Sequence, residues 1–205
     1  MKAVRTMVLV AAAAFLVLFG PWTKTAVSFF PMMTLAAFLL AAVSLVLDRK
    51  DTGGIYAFKL VHIPVGLIAA AVLYGVFWVG HLVSTHVLWF AASQVESIYT
   101  IRADQNPWLI AVLLFFIIGP AEEIFWRGFV QRRLSKKRGV LIGLLSAAAI
   151  YMLVHVWSLN LMLIAAAGVC GGFWGLLFVV TGNLWPCIIS HAVWDVVIFI
   201  LFPIQ

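Results

Sequence analysis

Two pairs of ionisable residues in the second half of the sequence are spaced to share one face of a helix. Glu123 and Arg127 are four residues apart, which places them side by side on a helix, where they can form a salt bridge. His191 and Asp195 have the same spacing, so the carboxylate can hold the imidazole in one tautomer, or both groups can ligate one ion. Both pairs are therefore candidates for a functional site.

Glu122 and His155 are two further candidates in apolar surroundings. Glu122 is turned about 100° away from its neighbour around a helix, and Pro120 stands just before it. A proline inside a helix removes a hydrogen bond and tends to kink or restart the helix. If the helix restarts at Pro120, Glu122 lies in a first turn, where free amides and the positive end of the dipole favour a carboxylate. We therefore predict a polar, partly hydrated niche around Glu122.

The segments that carry these residues require lipid as their solvent. Hydrophobic residues make up 65% of the chain and charged residues 10%, which is too little polar surface to cover a water-soluble fold. A bilayer core needs roughly 20 apolar residues per helix. We predict an all-α transmembrane bundle of about seven spans plus one amphipathic interfacial helix. The predicted spans are Met7–Gly20, Val27–Leu47, Leu60–Gly80, Trp108–Phe129, Val140–Trp157, Leu161–Val180 and Trp185–Phe202.

Charged residues inside these spans must be compensated. A charge at the centre of a membrane costs about 2.5 to 3.5 kcal/mol, so four unpaired charges would cost roughly 10 to 14 kcal/mol. This sum is comparable to the whole folding stability of a typical domain, about 5 to 15 kcal/mol. The four residues are Glu122, Glu123, Arg127 and Asp195. We therefore expect them to pair, to line a wet cavity, or both.

The basic residues predict the orientation of the chain. With the N-terminus in the cytoplasm, the basic loop residues are cytoplasmic except Lys24 and Arg102. An eighth span in segment 81–104 would turn the cluster Arg132–Arg138 outward, against this bias. We therefore predict that the segment lies at the outer interface or folds over the bundle. Its polar face comprises His86, Ser93, Ser97, Thr100 and Asp104.

The positive charge excludes one class of function. A net charge of +6 would suggest nucleic acid as the partner of a soluble protein, but here the basic residues lie in loops and report orientation. We predict an integral protein of a bacterial cytoplasmic membrane, with the lipid bilayer and no nucleic acid as its partner. Residues 1–205 are expected to form a single membrane-embedded domain.

Three motifs on successive helices resemble those of the CPBP family of intramembrane proteases, the ABI group of CAAX-prenyl-endopeptidase-like and bacteriocin-processing proteins. They are Glu122-Glu123-x-x-x-Arg127, Tyr151-x-x-x-His155 and His191-x-x-x-Asp195. Basic residues follow the first motif, and Thr181-Gly182-Asn183-Leu184-Trp185-Pro186 precedes the last. The resemblance covers about residues 108–203.

This resemblance implies an intramembrane peptidase that cleaves a membrane-anchored polypeptide near the cytoplasmic interface. Glu122 with His155 would activate a water, and Glu123 with Arg127 would orient the first helix. His191 with Asp195 would stabilise the oxyanion or bind the substrate. Family members are described as glutamate-dependent or as metal-dependent. The first type, which we favour, needs no cofactor. In the second, a divalent metal such as zinc would be held by residues among Glu122, His155, His191 and Asp195.

The sequence departs from the family pattern at two positions. Tyr151 replaces the more usual Phe and adds a hydroxyl. Asp195 stands where many members carry Asn, and an ionised carboxylate cannot donate a hydrogen bond to an oxyanion. Asp195 is therefore protonated, or holds His191 as a cation, or belongs to a metal site, and we favour the second interpretation.

Two other classes of function compete with a peptidase. In a proton- or ion-coupled transporter, the carboxylates, Arg127 and the histidines would form a relay. This class is disfavoured because the sequence shows no paired repeats. A non-catalytic membrane scaffold is the remaining alternative.

Overall fold

The structure is a computed structural model that describes residues 1–23, 26–49, 54–102 and 105–204. These residues are largely helical, because an apolar segment in lipid must satisfy its backbone hydrogen bonds internally. The helices are α1 (Lys2–Phe19), α2 (Phe29–Asp48), α3 (His62–Val87), α4 (Ala91–Tyr99), α5 (Pro107–Arg138), α6 (Val140–Ser158), α7 (Leu161–Thr181) and α8 (Trp185–Leu201).

Six of the described helices are long and apolar enough to cross a membrane. They are α1, α2, α3, α5, α6 and α7, and α8 is a shorter apolar helix. The predicted helical membrane bundle is therefore confirmed, with a short seventh member. Three boundaries differ from the prediction by five or more residues: α1 begins at Lys2, α3 continues to Val87 and α5 continues to Arg138.

The predicted amphipathic segment is divided between two helices. Residues up to Val87 extend α3, Leu88 has an extended backbone, and α4 begins at Ala91. The side chain of Asn160, in the turn between α6 and α7, donates hydrogen bonds to Gln94 O and Ser97 Oγ of α4. Part of the polar face of α4 thus binds this turn, and the helix folds over the bundle. Lys24 and Lys50 of the orientation prediction and Asp104 of the amphipathic-helix prediction lie outside the described residues.

Helix α8 lies between α3 and α5 and approaches each of them closely at one glycine. A Cβ atom at Gly66 of α3 would lie 2.6 Å from Ile189 Cβ, and one at Gly119 of α5 would lie 3.2 Å from Ala192 Cα. Only glycine lets the helices come this close. Ala192 directly follows His191, and Gly119 lies about one helical turn before Glu122. This contact therefore brings two of the three motifs together.

Of the two possibilities considered for Pro120, a kink or a restart of the helix, α5 does not show the restart. Ile118 and Gly119 have helical backbone angles, so the chain passes through the proline as one helix. Wider, π-helical turns lie on both sides of the segment Gly119–Glu123, at Leu114–Ile118 and Ile124–Gln131. Such turns shift the hydrogen-bonding register and absorb the missing proline N–H, and they are frequent at functional sites.

One end of the bundle, which we call the basic pole, carries the cluster Arg132–Arg138. Asp48, the last residue of α2, accepts hydrogen bonds from Arg132 and Arg133 there. The chain alternates between the two poles from one span to the next, so α2 begins, and α6 ends, at the opposite pole, where α4 also lies. The basic pole is the cytoplasmic side in the predicted orientation.

Candidate active site

Glu123 is the centre of the site. Its side chain is 0% exposed, and its Oε1 accepts hydrogen bonds from Arg127 Nη1 at 2.8 Å and from His191 Nδ1 at 2.7 Å. The salt bridge predicted from the sequence spacing is therefore formed. The bond to His191 links α5 to α8, so a single carboxylate oxygen joins the first and third motifs.

Arg127 extends this network to α7. Its Nη2 donates to the backbone carbonyls of Cys170 at 3.2 Å and Gly171 at 3.4 Å. A Cβ atom at Gly171 would lie 3.2 Å from Ala148 Cα of α6, so the glycine lets α6 and α7 approach each other beside the guanidinium. Arg127 thus positions Glu123 by a charge-assisted hydrogen bond and anchors it to a third helix.

His191 lies between two carboxylates and against a tryptophan. Its Nε2 is 3.5 Å from Asp195 Oδ2, on the side of the ring away from Glu123. The Trp174 ring stacks on the imidazole with 3.8 Å between centroids and 16° between planes. A neutral imidazole can donate from one nitrogen only, whereas an imidazolium donates from both. The two flanking carboxylates therefore favour the charged form of His191, as the second interpretation of Asp195 requires.

Glu122 points away from Glu123 and toward α6. Its Oε2 accepts a hydrogen bond of 2.9 Å from the hydroxyl of Tyr151. Both side chains are buried, so this bond is shielded from water and is stronger than it would be at a surface. The hydroxyl by which Tyr151 departs from the family pattern is thus placed on the proposed base.

His155 lies one helical turn beyond Tyr151. Its Nδ1 is 2.8 Å from the backbone carbonyl of Tyr151, and the ring packs edge-on against Phe15 of α1 at 4.8 Å. Since a carbonyl only accepts, Nδ1 carries the proton and Nε2 of a neutral ring is an acceptor. Among the described residues His155 makes no direct hydrogen bond to Glu122, whose Oε2 accepts from the Tyr151 hydroxyl.

The candidate residues open onto one cavity of about 490 Å³. Its walls are mainly apolar, and they include the C-terminal half of α3, the second half of α4 and the start of α7. The candidate residues that line it are Glu122, His155, His191 and Asp195, together with Tyr151 and Trp174. Four of the six predicted site residues thus face a common space, while Glu123 and Arg127 lie behind it.

The cavity extends toward the pole opposite the basic pole. Phe15 and Phe19 at the end of α1 and Phe29 at the start of α2 line it. On the other side of Glu122, the buried rings of Phe125 and Phe129 fill the bundle. The lining residues thus place the cavity between Glu122 and the pole opposite the basic pole. Cleavage near the cytoplasmic interface stays a prediction.

The predicted metal ligands already have hydrogen-bond or ion-pair partners. Both nitrogens of His191 face carboxylates, Nδ1 of His155 faces a carbonyl, and Glu122 Oε2 is bound by Tyr151. The described residues contain no group of three or more His, Cys, Asp or Glu side chains that could hold a metal ion. A catalytic zinc takes three protein ligands and a water, and the metal-dependent type stays an alternative to the glutamate-dependent one.

Two residues at the site were not identified as site residues from the sequence. Trp174 is fully buried and also donates from Nε1 to Ser190 Oγ at 3.1 Å. Gln131 donates to the Gly175 carbonyl at 2.8 Å, one turn after Arg127 donates to Gly171. The spacing of Arg127 and Gln131 against two glycines of α7 is a signal that could have been noticed. Nothing in the local sequence separates Trp174 from an ordinary buried aromatic residue.

Comparison with known proteins agrees with this geometry. Residues 104–197 match the family described as type II CAAX prenyl endopeptidase Rce1-like. This range contains all six candidate residues and both π-helical turns of α5. The chain matches none of the curated proteins and none of the solved structures with which it was compared.

Proposed function

From the match of residues 104–197 to the family described as type II CAAX prenyl endopeptidase Rce1-like, we propose that the chain is a protease of this family and that a water activated by Glu122 hydrolyses its substrate. A protease of this family acts on membrane-anchored substrates within the bilayer, and the six long apolar helices agree with an integral membrane protein. The observation that carries the proposal is the single cavity lined by Glu122, His155, His191 and Asp195.

The proposed reaction needs one base and one hydrogen-bond donor. Glu122 takes a proton from water while the water oxygen bonds to the scissile carbonyl carbon. The carbonyl oxygen becomes an oxyanion, which accepts an N–H from His191. Glu122 then gives its proton to the amide nitrogen as the carbon–nitrogen bond breaks. The products are a carboxylic acid and an amine, so the proton and the water are fully accounted for.

The other residues support this chemistry. The contact of His191 Nε2 with Asp195 is long, 3.5 Å, which leaves that N–H available to an oxyanion placed beside it. His155 Nε2 accepts a hydrogen bond from the same water, since Nδ1 is held by the Tyr151 carbonyl. Glu123 and Arg127 keep α5, α7 and α8 in register and hold His191 in place.

The site lies near the middle of the membrane. Glu122 is ten residues before Arg132, at about 1.5 Å per residue, so it lies about 15 Å from the basic pole, half of a core of about 30 Å. We propose that the apolar anchor of the substrate occupies the cavity and that the scissile bond reaches its inner end. The protein would lie in a bacterial cytoplasmic membrane with its N-terminus inside. Residues 1–205 would form one peptidase domain, with its core at about 108–203.

The test is cleavage in liposomes by the purified protein. The probes are synthetic peptides with an apolar membrane anchor at either end, and products are identified by mass spectrometry. A general base contributes about 10²- to 10⁴-fold to a rate, so Glu122→Gln should lower cleavage by at least about 100-fold. Glu96→Gln is the matched control, because Glu96 is exposed on α4. This variant should cleave the peptides at the wild-type rate.

Three outcomes would contradict the proposal. Unchanged cleavage by Glu122→Gln removes Glu122 as the base. If the wild-type protein cleaves none of the peptides although its thermal unfolding shows that it is folded, a non-catalytic scaffold is favoured. Uptake of an ion or solute driven by an ion gradient, without cleavage, identifies a transporter.

A further inference from the structure

Tyr151 contacts both candidates for water activation. Its hydroxyl donates to Glu122 Oε2 at 2.9 Å, and its backbone carbonyl accepts from His155 Nδ1 at 2.8 Å. Glu122 and His155 lie on different helices, so this one residue relates their positions to each other. A direct bond between them is replaced by two bonds to opposite ends of Tyr151.

Packing fixes the direction of the Tyr151 hydroxyl. The guanidinium carbon of Arg127 lies 5.1 Å from the centre of the Tyr151 ring. The Trp126 ring contacts it edge-on at 5.1 Å, and the His155 ring lies at the same distance on another side. With the ring held on these sides, the hydroxyl is directed at Glu122 before any substrate binds.

The hydrogen bond from Tyr151 makes the two oxygens of Glu122 inequivalent. Tyr151 holds Oε2, which leaves Oε1 as the atom directed at the water. A carboxylate held at one oxygen cannot rotate freely, so its other oxygen keeps a fixed direction. Arg127 packs on the same ring while it binds Glu123, so the positions of the two glutamates are coupled through Tyr151.

We propose that Tyr151 is a positioning residue that aims Glu122 Oε1 at the attacking water, an inference that rests on the proposed function. The residue acts through Glu122 and undergoes no bond change itself. Because a misplacement of about 1 Å at a reacting group can cost about 100-fold in rate, Tyr151→Phe should lower kcat by about 10- to 100-fold. KM should stay within about twofold of the wild-type value, because the substrate anchor is bound elsewhere in the cavity.

The matched control is Tyr74→Phe. Tyr74 also donates its hydroxyl across helices, to the Phe202 carbonyl at 3.1 Å, but it is not among the residues that line the cavity. Its variant should retain the wild-type kcat and KM. Both phenylalanine variants should unfold within a few degrees of the wild type in detergent, which separates positioning from a general loss of structure.

A spectroscopic measurement follows Glu122 itself. In protein with ¹³C-labelled glutamate, the infrared carboxylate band that disappears in Glu122→Gln belongs to Glu122. Tyr151→Phe should shift this band and Tyr74→Phe should not, because Tyr151 hydrogen-bonds to Glu122 whereas Tyr74 hydrogen-bonds to the Phe202 carbonyl.

The results separate failure of this inference from failure of the proposed function. A kcat for Tyr151→Phe within twofold of the wild type, with Glu122→Gln inactive, overturns the role of Tyr151 and leaves Glu122 as the base. An unshifted band also overturns it. Equal cleavage by Glu122→Gln and the wild type overturns the proposed function, and with it this inference.

Discussion

Two groups of buried charges differ in how completely they are paired. At the basic pole, Asp48 uses both oxygens: Oδ1 accepts from Arg133 and Oδ2 from Arg132. At the site, Glu123 uses Oε1 for two partners, while Oε2 is buried with no hydrogen-bond partner among the described residues. Buried polar atoms are nearly always hydrogen-bonded, so an exception calls for an explanation.

The difference separates structural from functional burial of charge. The Asp48 group ties the end of α2 to α5 and satisfies itself, which is what stability alone requires. At the site, Glu123 keeps one buried oxygen without a partner among the described residues, behind the wall of the cavity, and this arrangement costs stability. Substitutions in the two groups should therefore separate into those that change turnover and those that change only stability.

The largest expected effect is that of Glu123→Gln. The substitution removes the charge that pairs Arg127 and His191, and breaking a buried ion pair costs about 3 to 5 kcal/mol. Cleavage should also fall by about 100-fold or more, because His191 loses its fixed position. Thermal unfolding in detergent and cleavage per folded molecule measure the two effects. If Glu123→Gln is destabilised but keeps the wild-type turnover, the Glu123 group has only a structural role, as the Asp48 group has.

Asp48→Asn should change stability and leave the chemistry alone. The loss should be smaller than the 3 to 5 kcal/mol of a fully buried pair, because the side chain of Arg133 is 27% exposed and partly screened by solvent. The unfolding temperature should fall, while kcat stays within about twofold of the wild-type value. A kcat that falls together with the unfolding temperature would show that the basic pole is coupled to the site, and the distinction would fail.

The smallest expected effect is that of Trp174→Phe. Phenylalanine can still pack on His191, but the bond from Nε1 to Ser190 is lost, and part of the stacking, about 0.5 to 1.5 kcal/mol for an aromatic pair, is lost with it. We expect kcat to fall by about two- to fivefold. Trp89→Phe, at a residue that is 93% exposed, is the control. An unchanged kcat would show that Glu123 alone orients His191.

The sequence predicted the features that depend on spacing within one helix. Apolar runs predicted the bundle, and the four-residue spacing of Glu123 and Arg127 predicted their salt bridge. The contacts between helices were not predictable in this way. The hydrogen bonds that Tyr151 donates to Glu122 and that His191 donates to Glu123 depend on how each helix is rotated about its axis. Local periodicity does not determine that rotation.

Two features of the site depend on packing that a single residue type does not report. Pro120 is compatible with a kink or a restart of a helix, and the π-helical turns on both sides of Gly119–Glu123 keep α5 continuous. Basic residues predict the orientation of the chain but not where its interior is empty, and the cavity extends from Glu122 toward the pole opposite the basic pole.

The two π-helical turns make the register of α5 sensitive to chain length. Each widened turn holds an extra residue that an α-helix would not accommodate, and one residue corresponds to about 100° of rotation. Loss or gain of a single residue in Leu114–Ile118 would leave a helix apolar enough to span the membrane, yet would swing both glutamates away from Tyr151 and His191. Single-residue insertions and deletions should therefore be tolerated far less in this helix than its lipid-facing composition suggests.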